Sequence, residues 1–112
     1  MGRKDPYHGK RWMPCLYAEY YGQLKGIARK HGYALAVHGT LRKDLDLIAV
    51  AWIPKAKGPL QMLWEMTKYI GVNYTKKALI AHSGKKPHGR VAYTIVTGGG
   101  GYIDISVIPP KR

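Results

Sequence analysis

The sequence predicts an α+β domain, with one mainly antiparallel sheet and two helices packed on one face. Three observations lead there. Segments 14–30 and 59–70 carry apolar residues at helical spacing, and each opens on a proline and is followed within two residues by a glycine. Segments 33–37, 44–52, 91–96 and 102–108 are short runs rich in Val, Ile, Leu and Ala, with the length and composition of strands. The links within each strand pair are short, which makes sequence neighbours antiparallel neighbours.

Each element has its own local reason. Pro14 stands at a helix start, where a missing N–H costs nothing. Leu16, Tyr17, Tyr20, Leu24, Ile27 and Ala28 then recur on one face, and Lys25, Arg29 and Lys30 gather where the helix dipole favours cations. Gly32 is the stop. The strand at 33–37 is followed by a turn at 39–43 and a second strand at 44–52. A basic loop at 54–58 leads to Pro59 and a second helix with Leu60, Leu63, Trp64 and Ile70 on one side, ended by Gly71. Ala78, Leu79 and Ile80 read as a short strand, followed by a basic loop over 82–90. The last two strands are joined through four glycines at 98–101, a hairpin link. Residues 1–13 read as a flexible basic arm, 14–108 as the folded domain, and 109–112 as a basic tail.

A chain of 112 residues makes one domain, large enough for a core without disulfides. Nine Tyr and three Trp argue against a disordered chain. The single cysteine, Cys15, excludes an internal disulfide or a cysteine-based zinc site and reads as a small apolar filler in a reducing, cytoplasmic setting. The basic N-terminus has no hydrophobic run after it, so it does not read as a secretion signal. No apolar run is long enough to span a bilayer. The dominant bulk property is charge: 19 Lys and Arg against 6 Asp and Glu, a net +13. That excess makes a polyanion, RNA or DNA, the expected partner, because clustered cations gain from counterion release. Solubility alone is the plainer explanation of the same number.

Two of the scarce acids, Asp44 and Asp46, sit in the run His38-Gly39-Thr40-Leu41-Arg42-Lys43-Asp44-Leu45-Asp46-Leu47-Ile48. Residues two apart on a strand point to the same side, so the two carboxylates face together while Leu45 and Leu47 face the core. A third, Asp104, lies between Ile103 and Ile105. If the last strand pairs beside the Asp44–Asp46 strand, three carboxylates converge into a set of hard oxygen donors suited to Mg²⁺ or Mn²⁺. The competing reading is a wet strand face whose acids pair with Lys or Arg, an arrangement that contributes only about 0–1 kcal/mol and requires no function.

This pattern resembles the DNA polymerase beta-like nucleotidyltransferase superfamily: a glycine turn after a strand, an Asp-x-Asp on the next strand, and a third acid on a later one. It is also similar to small phage-type proteins with a compressed version of the motif. The resemblance spans roughly residues 14–108. It implies that Asp44, Asp46 and Asp104 are catalytic metal ligands, and that Gly39 and Thr40 hold the phosphates of a nucleoside triphosphate through a turn of converging N–H groups. It further implies transfer of a nucleotidyl group to an acceptor hydroxyl. The chain departs from the family in that only Leu41, Arg42 and Lys43 separate the turn from the first acid, where the family has a longer link.

The remaining candidates concern binding. Gly84-Lys85-Lys86-Pro87-His88-Gly89-Arg90 sets cations among glycines. Lys85, Lys86 and Arg90, with His88 as a further donor, are expected to grip phosphates. The spacing does not fit a P-loop. Arg3, Lys4, Lys10 and Arg11 in the arm are further candidates, with Trp12 as a base-stacking residue. Tyr93 and Tyr102 could flank the site, although strand tyrosines more often pack in the core. The five histidines are scattered, and His38 alone abuts the glycine turn. Two functions follow: a metal-dependent nucleotidyltransferase-like enzyme, or a non-catalytic nucleic-acid binder on the same scaffold. An acceptor hydroxyl on a protein is a third reading, against which the positive charge weighs.

Overall fold

The computed structural model describes residues 14–39, 44–54, 56, 58–97 and 101–108, with side chains from Tyr17 onward. The helix α1 runs Pro14–Lys30, and Arg29 and Lys30 occupy its last turn as the dipole favours. Strands β1 (Tyr33–His38) and β2 (Leu45–Ala51) follow, then α2 (Pro59–Ile70). Gly71 closes α2 at φ 93°, donating its N–H to the carbonyls of Thr67 and Lys68, a conformation that glycine adopts without a Cβ clash. Next come α3 (Lys76–Ala81), β3 (Ser83–Lys85), a 3₁₀ turn (Pro87–Gly89), β4 (Val91–Val96) and β5 (Tyr102–Ile108).

The five strands form one sheet in the order β1-β2-β5-β4-β3. All neighbours are antiparallel except β2 and β5, which pair in parallel. The sheet is therefore mixed, a refinement of the mainly antiparallel sheet expected. The chain leaves β2, builds both later helices and the β3–β4 ribbon, and returns to lay β5 alongside β2. A parallel pair needs a long crossover of this kind.

Strand alternation places the core. Leu35, Leu45, Leu47, Ala49, Tyr93, Ile95, Ile103, Ile105 and Val107 are buried on one side of the sheet, against Tyr17, Leu24 and Ala28 of α1 and Met62, Leu63 and Met66 of α2. Leu60, Trp64 and Ile70 flank the buried stripe of α2. The sheet's other side is more open, with Val50, Val96 and Tyr102 exposed.

Two local assignments differ from the sequence reading. Ala78-Leu79-Ile80 lies in the helix α3, a third helix beyond the two expected. Thr75 caps it by accepting the N–H of Ala78, and only Leu79 is buried. The stretch read as a basic loop contains the strand β3, which pairs with β4 at Ser83–Tyr93, Gly84–Ala92 and Lys85–Val91. Among the described residues no helix is long and apolar enough to cross a membrane.

Candidate metal centre

The pairing of β2 with β5 sets Asp46 directly beside Asp104. The same row continues to His38 on β1 and to Thr94 on β4. Asp44 immediately precedes β2. Carboxylate oxygens of Asp44, Asp46 and Asp104 all lie within 4.8 Å of one another, and the three side chains are half-buried. Leu45, Leu47, Ile103 and Ile105 between them are fully buried, which locks the acids to the opposite side.

Electrostatics make the cluster unfavourable by itself. Fully ionised carboxylates at that spacing repel by roughly 1–3 kcal/mol per pair, between water-like and surface-like screening. The Asp46 carboxyl is accordingly pushed above its ordinary proton affinity. Partial burial is the first cause and the Asp104 charge the second; His38 opposes them, while Asp44 and a hydrogen bond to Asp104 reinforce them. Thr94 Oγ1 donates to Asp104 Oδ1 at 2.9 Å and fixes that side chain.

Gly39 completes one wall. It sits at φ 83°, and a Cβ built there would lie 2.7 Å from Asp46 Oδ2. Only glycine lets the backbone approach this carboxylate so closely. Tyr17, buried in the core on α1, is near enough to feel these charges. Its hydroxyl is pushed up to about 12 by burial first and by the Asp44 charge next, with smaller contributions from Asp46 and Asp104 and an opposing hydrogen bond from the Tyr102 backbone.

The donor set fits a divalent cation. Oxygens on one octahedral magnesium are about 3.0 Å apart when adjacent and about 4.2 Å when opposite, so carboxylates at this spacing reach a shared ion by closing at most about 2 Å. The triad could hold such an ion.

Other expected site residues are placed differently. Tyr93 is buried in the core, whereas Tyr102 stays exposed two residues from Asp104. Lys85 pairs with Val91, while Thr94 lies beside Asp104, so the basic loop begins about 10 Å further along the strands. That loop is closed on itself: Lys86 N–H donates to the Arg90 carbonyl at 2.9 Å, and Arg90 Nε to the Pro87 carbonyl at 3.2 Å. Lys85, Lys86, His88 and Arg90 are therefore not gathered round the carboxylates. Thr40 and the arm residues Arg3, Lys4, Lys10, Arg11 and Trp12 lie outside the described residues.

The sequence alone does not mark Thr94 or Tyr17 as neighbours of the acids. Thr94 was within reach: a hairpin pairing Val96 with Tyr102 necessarily pairs Thr94 with Asp104. Tyr17 carried no such signal, because its helical spacing reads only as core. Comparison of the chain with protein-family models, curated proteins and solved structures finds no match.

Proposed function

We propose that the protein is a metal-dependent nucleotidyltransferase-like enzyme that transfers a nucleotidyl group from a nucleoside triphosphate to an acceptor hydroxyl on nucleic acid. The convergence of Asp44, Asp46 and Asp104 carries this reading. Mg²⁺ or Mn²⁺ is the proposed ion. Bound there, divalent ions would supply a more nucleophilic hydroxyl and neutralise the leaving pyrophosphate.

The chain's own residues would do the rest. Asp44, Asp46 and Asp104 hold the ions, and the Thr94 hydrogen bond keeps Asp104 in its rotamer. Gly39, with no Cβ, lets the turn lie against Asp46, and its N–H with that of Thr40, next in sequence, would face the triphosphate. In the reaction the acceptor oxygen bonds to the α-phosphorus, the bond from that phosphorus to the β-phosphate oxygen breaks, and pyrophosphate leaves. Asp104 assists removal of the hydroxyl proton. The net charge of +13 favours a polyanionic acceptor over an acidic protein surface of lower charge density. A cytoplasmic setting is proposed from the single cysteine.

Thermal denaturation tests the reading. Manganese with a triphosphate should raise the melting temperature, since a ligand of the native state alone stabilises it. Asp44→Asn should abolish the rise. The second reading, a non-catalytic binder, is favoured by the same positive charge and predicts no rise while RNA or DNA is still retarded in a salt-sensitive manner.

A further inference from the structure

A groove of about 270 Å³ runs over the β1 edge of the sheet, lined by Lys25, Arg29, Tyr33, Ala34, Leu35 and Trp52. It lies away from the carboxylates: Trp52 N–H bonds to the Gly32 carbonyl at one end of β1, while His38 pairs with Asp46 at the other. Three to five residues of strand separate Leu35 and Tyr33 of the lining from the His38–Asp46 row, about 10–17 Å.

The groove's walls combine two chemistries. Lys25 and Arg29 are four residues apart on α1, so both stand on one side of the helix, and both are exposed. Tyr21 continues that row; its hydroxyl donates to the Leu35 carbonyl at 2.9 Å and its ring lies under Lys25. The helix is thus pinned beside the edge strand with its cations aimed along the groove. The other wall is the Trp52 indole, 59% exposed, the most exposed of the large hydrophobic side chains described.

Acids to pair with these cations are few. Of the six in the chain, three form the carboxylate cluster, Glu65 is taken by Lys30 and His31 at 3.1 and 3.2 Å, Glu19 stands six residues before Lys25 on a different side of α1, and Asp5 lies outside the described residues. We propose that this groove binds single-stranded nucleic acid, with a base stacked on Trp52 and backbone phosphates on Lys25 and Arg29. An accessible indole face requires an unpaired base, because a duplex hides its π-faces; paired cations beside it supply the phosphate contacts. The assignment rests on the proposed nucleic-acid partner for the class of ligand and adds where that ligand is held.

Fluorescence anisotropy of a labelled oligothymidine with the full-length chain tests it. Trp52→Ala should weaken binding about tenfold, the usual loss of one stacked base, and Trp52→Phe should retain most of the affinity. Lys25→Gln with Arg29→Gln should lower the slope of log affinity against log salt by about 1.4. Lys76→Gln with Lys77→Gln, an equal loss of charge on the exposed side of α3, should cost less affinity than the groove pair. Unchanged binding by Trp52→Ala, or equal losses from the two lysine–arginine and lysine pairs, would overturn the groove while leaving the nucleic-acid partner standing. Displacement by an acidic peptide as effectively as by unlabelled oligonucleotide would overturn the choice of ligand. Failure of the unaltered chain to bind any oligonucleotide would overturn both the groove and the partner.

Discussion

At the scale of single residues, the carboxylate cluster is a place where stability and the proposed metal binding oppose each other. Asp46 holds its proton more tightly in the folded chain than in the unfolded one. The sign is therefore that its contribution favours folding at low pH and is lost as pH rises through its folded value. Asp46→Asn removes that penalty, so the metal-free variant should melt higher than the natural chain at neutral pH and lose its response to manganese. A lower melting point in calorimetry would mean that the charge is already neutralised within the protein. Thr94→Ala deletes one hydrogen bond to a carboxylate and should cost about 1.5–3 kcal/mol at most in urea denaturation, with weaker manganese binding beside it. Gly39→Ala forces a Cβ against Asp46 Oδ2 in a backbone region that alanine avoids. Its manganese affinity should fall even where the fold persists.

At the scale of elements, α1 is tied to α2 through Glu65, whose carboxylate lies 3.1 Å from Lys30 Nζ and 3.2 Å from His31 Nε2. His31 and Lys30 beside it, with a smaller contribution from the Gln61 amide, hold the Glu65 carboxyl down to about 2, below its ordinary 4.5. The unfolded chain therefore takes up this proton first. The link is complete above about pH 4.5 and is lost as pH falls towards about 2. Solvent screening keeps it within about 1 kcal/mol. Glu65→Gln should flatten the acid loss of melting temperature across that window and change little at neutral pH. The β2–β5 pair is the stronger junction: Ile105→Ala, in the fully buried row behind Asp104, should cost about 2–5 kcal/mol by urea denaturation. Sequence legibility divides along the same line. The hairpin strands Val91–Val96 and Tyr102–Ile108 were readable in full, because apolar alternation and a glycine link are local signals. The facing of Asp44 and Asp46 away from Leu45 and Leu47 was readable for the same reason. Ala78-Leu79-Ile80 was not, since three apolar residues fit either period and the Thr75 cap decides. Ser83-Gly84-Lys85 lacks strand propensity and is a strand only because β4 supplies a partner. The parallel sense of β2 and β5, and Tyr17 beside Asp44, depend on contacts distant in sequence that no local pattern announces.

At the scale of the whole molecule, the charge of +13 surrounds a small acidic seat formed by half of the chain's acids. The basic surface and the carboxylates occupy separate places: the groove of Lys25, Arg29 and Trp52 at one end of β1, the loop at 86–90 beyond β3, and the triad in the row through His38. A polyanion bound to such a surface is expected to be lost steeply with salt, whereas a cation held by three half-buried carboxylates is screened far less. Binding of oligonucleotide and of manganese should therefore respond differently to salt, which titrations at 50 and 200 mM would check. The central claim is that Asp44, Asp46 and Asp104 together form one seat for divalent ions. Manganese titration of the metal-free protein, followed by electron paramagnetic resonance, tests it most directly. Saturable loss of the free-ion signal is expected with the natural chain and none with Asp46→Asn or Asp104→Asn. Equal binding by all three proteins, or none by the natural chain, would contradict it.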